Sequence, residues 1–285
     1  MRVLITGANA GIGKAAALKL LQKGHTVFMG SRDVARGEAA LRELTEITGS
    51  GGAKLIQIDM SSVESIRRGA GQIIADGGVD VLINNAAQFD LSVKQPVKSI
   101  DGVETVWMTN HIGPALLVRE LLPALQRSGD ARVLTVSSKG LRLQPCKKIR
   151  FDDPEYETGG YSVPSEYYQS KLAQVMYTFH LAKELSSSGI AVYGVEVTNV
   201  KIDLTRYKGL SPLLKWVYAV KSRLSITPAQ MAETYCYLAE APRAELSAGA
   251  FYDEHKKVVP NSAYSRNAEH IRQLVELTEK YLGRF

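Results

Sequence analysis

Cysteine is nearly absent from this chain. Cys146 and Cys236 are the only two, and they lack metal-ligand spacing. A disulfide framework and a thiolate metal site are therefore not expected, and the pair reads as spare thiols of a reducing compartment. Long apolar runs are missing too: nothing approaches the roughly 18–20 residues that span a bilayer. The first strand-like run starts at Arg2, which leaves no room for a signal peptide and makes the cytoplasm the expected location. There is no internal repeat and no low-complexity linker, so residues 1–285 are expected to form one α/β domain. No segment interleaves basic and aromatic side chains as nucleic-acid modules do, so no nucleic-acid partner is expected. The net charge of +6 is instead assigned to a phosphate-rich small ligand and a basic surface segment. At 45% hydrophobic residues, the chain can fill a large core.

What is present is an alternation. Apolar runs at 3–5, 26–29, 54–58, 81–83, 132–136, 191–197 and 250–252 read as strands, and helical spacing covers 14–23, 34–45, 63–75, 102–126, 165–186, 228–238 and 267–282. Strands this short and apolar, followed by helices, predict a parallel sheet covered on both faces. Right-handed crossovers make it a doubly wound α/β fold of the Rossmann type. Residues 141–164 and 207–227 break the alternation; both follow strand ends where such sheets hold ligands.

The densest signal is Thr6-Gly7-Ala8-Asn9-Ala10-Gly11-Ile12-Gly13, between the first strand and the first helix. Strand, glycine turn and helix together form the context in which such a run binds a dinucleotide. Gly7 permits the tight turn, Gly11 admits a pyrophosphate against backbone, and Gly13 lets the helix pack close. The anion rests on unpaired N–H groups at the helix start. Incidental glycines in a turn are the alternative. The second strand ends in Gly30-Ser31-Arg32-Asp33. An acidic side chain at this strand end favours NAD, whereas Ser31 and Arg32 stand where a 2′-phosphate would lie, so NADP(H) is expected over NAD(H). Arg32 as a solvated residue, or paired with Asp33, is the competing reading. Asp59 ends the third strand and either accepts from adenine or caps the next helix. Asn84-Asn85-Ala86 ends the fourth, facing the cofactor crevice or serving only as turn chemistry.

Ser165-Glu166-Tyr167-Tyr168-Gln169-Ser170-Lys171 opens a long helix, and Tyr167 and Lys171, four apart, share a face. An ammonium favours the phenolate and lowers a phenol pKa of about 10. Tyr167 can then exchange a proton with a carbonyl or alcohol oxygen near neutral pH. Tyr168 is the rival and is expected to point away. A surface Tyr–Lys pair is the plain alternative; Ser137-Ser138 at the preceding strand end weighs against it. Ser138 can hydrogen-bond the reacting oxygen, and Asn110 can hold a proton-relay water.

With these motifs the chain resembles the short-chain dehydrogenase/reductase family over nearly its whole length. The resemblance rests on the glycine turn, Asp59, Asn84-Asn85-Ala86, Thr109-Asn110-His111, Ser137-Ser138, and Tyr167 with Lys171. It implies a catalytic set of Ser138, Tyr167, Lys171 and Asn110. In that set Tyr167 is the acid–base, Ser138 orients substrate, Lys171 also binds the nicotinamide ribose, and Asn110 supports a water chain to Lys171. It further implies cofactor contacts from Gly7, Asn9, Ala10, Gly11, Ile12, Gly13, Ser31, Arg32, Asp59, Met60, Asn85, Ala86, Ala87, Tyr167, Lys171 and Val200, and no metal. Gly30-Ser31-Arg32-Asp33, the long segment before Tyr167, and Ala248-Gly249-Ala250-Phe251-Tyr252 are similar to the retinol dehydrogenase-like branch. That branch implies NADP(H) chemistry on lipophilic carbonyls and alcohols.

The pattern is not matched throughout. Asn85-Ala86-Ala87 replaces the family's Asn-Ala-Gly, and Thr198-Asn199-Val200-Lys201 replaces a Pro-Gly turn beside the nicotinamide. Asn199 is expected to keep that turn in the left-handed region. Asp203, with Thr205 two further on, stands near the register of a family threonine that touches cofactor. Residues 207–227, with Leu210, Trp216 and Tyr218 among Lys208, Lys215 and Arg223, are expected to be a lid over a hydrophobic substrate. Ordinary core packing and a peripheral membrane-surface helix are the other readings. A homodimer or homotetramer through the long helices is expected. The competing functions are a non-catalytic NADP-binding sensor or scaffold, and a pigment reductase like the protochlorophyllide enzymes.

Overall fold

The computed structural model describes residues 1–201 and 225–285. Eight strands form one sheet in the order β3-β2-β1-β4-β5-β6-β7-β8. They are β1 (Arg2–Thr6), β2 (Thr26–Ser31), β3 (Ala53–Gln57), β4 (Val81–Asn84), β5 (Arg132–Ser138), β6 (Ala191–Val197), β7 (Phe251–Tyr252) and β8 (Val258–Val259). Neighbours pair in parallel except at the outer edge, where β8 runs antiparallel to β7. Strand order reverses between β1 and β4, so a crevice opens at their C-terminal ends. No helix among the described residues is long and apolar enough to cross a membrane.

The helices are α1 (Gly11–Gln22), α2 (Val34–Thr48), α3 (Val63–Ala75), α4 (Thr105–Trp107), α5 (Gly113–Gln126), α6 (Val163–Glu184), α7 (Pro228–Glu240), α8 (Ala263–Arg266) and α9 (Ala268–Leu282). On one sheet face, Val3, Ile5, Val27, Ile83 and Leu134 pack against α1 and α7; on the other, Leu4, Phe28, Leu82 and Val133 pack against α3, α5 and α6. Successive strand residues point to opposite faces and both faces are covered, which is why the strands read as unbroken apolar runs. Each such side chain, fully buried, contributes about 1.5–3 kcal/mol.

Helix starts follow capping chemistry. Asp33, Ser62, Ser162, Thr227 and Asn267 cap α2, α3, α6, α7 and α9 through their side chains. The cap of α3 is thus Ser62, and the capping alternative for Asp59 is excluded. The single helix expected over 102–126 is also corrected. After α4 the backbone widens to a π-helix over Met108–Ile112 before α5 resumes, with Gly113 N–H bonding to the Met108 carbonyl. Gly113 makes the junction possible, because a Cβ there would lie 2.3 Å from the Met60 carbonyl.

The stretch after β6 differs from expectation as well. Among the described residues only Tyr156 and Lys256 are non-glycines with positive φ, so Asn199 does not adopt the left-handed region. Instead Val200 forms a parallel bridge with Ile226. Lys201 N–H donates to Ile226 O at 2.9 Å, and Ile226 N–H to Asn199 O at 3.0 Å.

Candidate active site

The glycine turn leaves β1 and enters α1 with Gly7 at φ +68° and Gly11 at φ +58°. A Cβ on Gly11 would meet nothing within 4 Å, so that backbone faces open space. A Cβ on Gly13 would lie 2.6 Å from both Asn85 Nδ2 and the Gly7 carbonyl. Ala10 at the start of α1 supplies no side-chain cap, unlike the residues that start α2, α3, α6, α7 and α9. The first amides of α1 therefore keep their positive ends exposed toward the crevice, as an anion-binding helix start requires. These features fit a pyrophosphate.

Asn85 is differently employed. Its Nδ2 donates to Thr6 O at 2.8 Å and Gly7 O at 3.3 Å, and its Oδ1 accepts from the Tyr235 hydroxyl at 3.0 Å. Its side chain is a strut behind the glycine turn. Ala86 N–H donates to Thr6 Oγ1 at 3.0 Å. Ala87 is exposed and lacks positive φ, so its methyl strains nothing.

At the end of β2, Asp33 is occupied: its carboxylate accepts from Arg36 N–H at 3.0 Å and pairs with the Arg36 guanidinium at 3.3 Å. Arg32 is exposed and has no such partner among the described residues, so the Arg32–Asp33 pairing does not form. Ser31 is buried, and its hydroxyl donates to Asp33 O at 2.8 Å, which removes it as a ready donor. Asp59 Oδ1 accepts from Ser61 N–H at 2.9 Å and Ser61 Oγ at 2.7 Å. The Met60 side chain is core, and that of Val200 packs against core; only their backbones can reach a ligand.

The catalytic candidates gather where β5 ends against α6. Lys171 is 1% exposed. Its ammonium donates to Val136 O at 2.8 Å and Gln174 Oε1 at 3.0 Å, and sits 5.7 Å from the centre of the Tyr167 ring. Burial pulls its pKa down to about 7, because a low-dielectric site disfavours the charged form. The ammonium expected beside Tyr167 can thus exchange a proton near neutral pH. Tyr167 stands edge-on to Phe89, ring centres 4.7 Å apart. Tyr168 lies over Gly140, where a Cβ would touch its hydroxyl at 2.6 Å. Ser138 Oγ accepts from Gly140 N–H at 3.2 Å, a bond that leaves its own proton available.

Asn110 sits inside the π-helix, fully buried. Its Oδ1 accepts from Gln88 N–H at 2.7 Å; its Nδ2 donates to Gln88 O at 3.2 Å and Ser170 Oγ at 3.0 Å. Both amide protons are engaged, and the side chain fastens the β4 loop to α6. Beside it, burial pulls His111 down to about 3. That neutral ring meets Thr278 Oγ1 at 2.8 Å and packs between Trp107 and Tyr177. Gln174, Gly113 and Tyr235 were not singled out in the sequence, and His111 entered only as part of the Thr109-Asn110-His111 motif with no role of its own. His111, Gly113 and Tyr235 are helix residues whose roles depend on partners far along the chain, whereas Gln174 meets Lys171 three residues away. Ser170, in the Tyr-x-x-Ser-Lys spacing, carried a local signal, as did Gln174 one turn after Lys171. Asp203, Thr205 and nearly all of the lid segment lie outside the described residues.

Residues 1–146 match the short chain dehydrogenase family model. The chain belongs to that family. It is similar to human retinol dehydrogenase 11, 34% identical over 284 residues covering 99% of this chain and 85% of the relative. It is likewise similar to bovine retinol dehydrogenase 12, 35% identical over 272 residues, with coverages of 94% and 83%. Among solved structures, an uncharacterized protein from Mycobacterium Paratuberculosis superposes with a TM-score of 0.74 at 28% identity, covering 99% of this chain and 93% of its own. The NADPH-bound carbonyl reductase from chicken fatty liver shares the fold, with a TM-score of 0.66 at 22% identity and coverages of 91% and 98%. This short chain dehydrogenase is therefore an oxidoreductase of the retinol dehydrogenase-like kind.

Proposed function

We propose that this short chain dehydrogenase interconverts a lipophilic aldehyde or ketone with its alcohol, using NADP(H), with Tyr167 as the proton donor and acceptor. The observation that carries the reading is the Tyr167–Lys171 arrangement: a phenol at the cleft beside a buried amine whose pKa lies near neutrality. When bound, the nicotinamide supplies or takes the hydride. The amides of Gly11, Ile12 and Gly13 at the open end of α1 would hold the pyrophosphate. Arg32 would pair with a 2′-phosphate, a reading supported by Asp33 being engaged by Arg36 and not by Arg32. Ser138 would donate to the substrate oxygen, Tyr167 would deliver the proton, and Lys171 would reprotonate it. Residues 207–227 would close over an apolar substrate. The same reading keeps a cytoplasmic homodimer or homotetramer.

Titration calorimetry on wild type and Arg32→Ala tests the coenzyme choice. The variant should lose NADPH affinity about 10–100-fold, the range of a charge-assisted pair, while NADH affinity stays level. Equal wild-type affinity for NADPH and NADH would reject NADP selectivity. The altered turn at Thr198-Asn199, with Val200 bridged to Ile226, favours one second reading, an NADP-binding sensor. It predicts tight coenzyme binding with no turnover of any aldehyde, ketone or quinone.

A further inference from the structure

Granted the dinucleotide site proposed above, we propose that Tyr235 is a positioning residue for it: through Asn85, its hydroxyl fixes the backbone of the glycine turn from behind. Tyr235 lies on α7, 0% exposed, its ring in the core shared with α1. Its hydroxyl donates to Asn85 Oδ1 at 3.0 Å, and Asn85 Nδ2 reaches Thr6 O at 2.8 Å and Gly7 O at 3.3 Å. One phenol, one amide and two carbonyls thus link α7 to the turn between β1 and α1.

The direction of each bond is forced. Burial, and after it the neighbouring Tyr167, keep the Tyr235 phenol above its ordinary pKa, so it remains a donor. A donor facing Asn85 must meet the amide oxygen, which turns the NH2 toward the turn. Drawing Thr6 O and Gly7 O toward that NH2 turns the following N–H groups the opposite way, because carbonyl and N–H of one planar peptide point apart. Ala8 N–H is accordingly received by Gly30 O at 3.0 Å. Gly13 completes the arrangement, since a Cβ there would occupy the space of the Asn85 amide, 2.6 Å from Nδ2. Removing the hydroxyl leaves the partly buried Oδ1 without its donor and frees the amide at one end.

The test combines Tyr235→Phe, Asn85→Ala and the double variant, with thermal melting, NADPH calorimetry, steady-state kinetics, and hydrogen exchange of residues 5–9 in coenzyme-free protein. Tyr235→Phe keeps the ring and should fold, melting within about 4 °C of wild type, the scale of one lost hydrogen bond in a chain of this size. Its NADPH Kd should rise about tenfold, the scale of one hydrogen bond. Its kcat at saturating NADPH should stay within about twofold, and exchange at residues 5–9 should quicken before any coenzyme is added. The double variant should bind no worse than Asn85→Ala, because both act through one contact. Unchanged Kd and exchange in Tyr235→Phe, or effects that multiply in the double variant, would overturn the assignment. So would parallel losses of melting temperature, Kd and kcat. Wild-type protein that binds neither NADPH nor NADH would defeat the dinucleotide reading itself, and the strut's purpose with it.

Discussion

Helix α6 buries titratable groups on both its faces, and the two surroundings differ. Toward β5 stands Lys171, whose hydrogen-bond partners among the described residues are a backbone carbonyl and Gln174. Away from β5 stands Glu166, fully buried, with Oε1 unpartnered and Oε2 accepting from Gln169 at 3.0 Å. Burial raises the Glu166 pKa well above the usual carboxylate range, helped by Glu104 and Glu155 and opposed by Lys147 and Arg150. The Glu166 side is cross-linked. Glu155 accepts from Lys98 at 2.7 Å, Glu104 N–H at 2.6 Å and Tyr281 at 2.6 Å; Glu104 accepts from Trp107 N–H at 2.8 Å and Tyr161 at 3.3 Å. Lys147 donates to Tyr156 and Ser165 at 2.9 and 2.8 Å. Desolvation favours the neutral form of both groups, and Lys171 is the one that stands beside the Tyr167 ring. Burial makes a proton easy to move; position decides whether the movement serves chemistry.

The largest effect expected from disturbing this contrast is on turnover. Lys171→Met should cut carbonyl reduction about 10²–10⁴-fold, the range of a lost acid–base partner, whereas Glu166→Gln should leave it within a few-fold. The two sides should next separate in the pH dependence of stability. Lys171 has a folded pKa of about 7 against about 10.4 when unfolded. The unfolded chain therefore binds more protons between those values, and this group makes stability rise with pH there. Glu166 is opposite: its folded pKa is raised, so the folded chain binds more protons above about 4.3, and stability falls as pH climbs toward the raised value. Urea melts across pH should lose the rise in Lys171→Met and the fall in Glu166→Gln. Matching slopes in both variants would erase the distinction. The smallest effect belongs to Gln174→Leu. Without this acceptor the Lys171 ammonium loses support, and the decline of reduction rate with rising pH should move down by about one unit. An unmoved profile would show that Gln174 does not tune it.

What the sequence disclosed divides along the same physical line. The strands at 132–136 and 191–197, the glycine turn and the Tyr167–Lys171 spacing are local signals, and β5, β6, α1 and α6 form where they predict. The Ser62 cap of α3 is equally local, once Asp59 is set aside. The π-helix carrying Asn110 is not, because it answers to the Met60 carbonyl pressed on Gly113. Nor was the depressed pKa of Lys171, because spacing places an amine beside Tyr167 and only burial sets its titration. The left-handed turn expected at Asn199 yielded to pairing with Ile226, a partner across the intervening segment. β8 went unread because a pair of residues carries no period.

The identity of the proton donor is open to a direct measurement. Carbonyl reduction by saturating NADPH should be followed in single turnover for wild type, Tyr167→Phe and Tyr168→Phe, with NADPH affinity measured alongside. Tyr167→Phe should slow the step about 10²–10⁴-fold while binding NADPH within about threefold of wild type, and Tyr168→Phe should stay within a few-fold in both. A Tyr167→Phe enzyme that reduces the substrate at the wild-type rate would contradict the assignment.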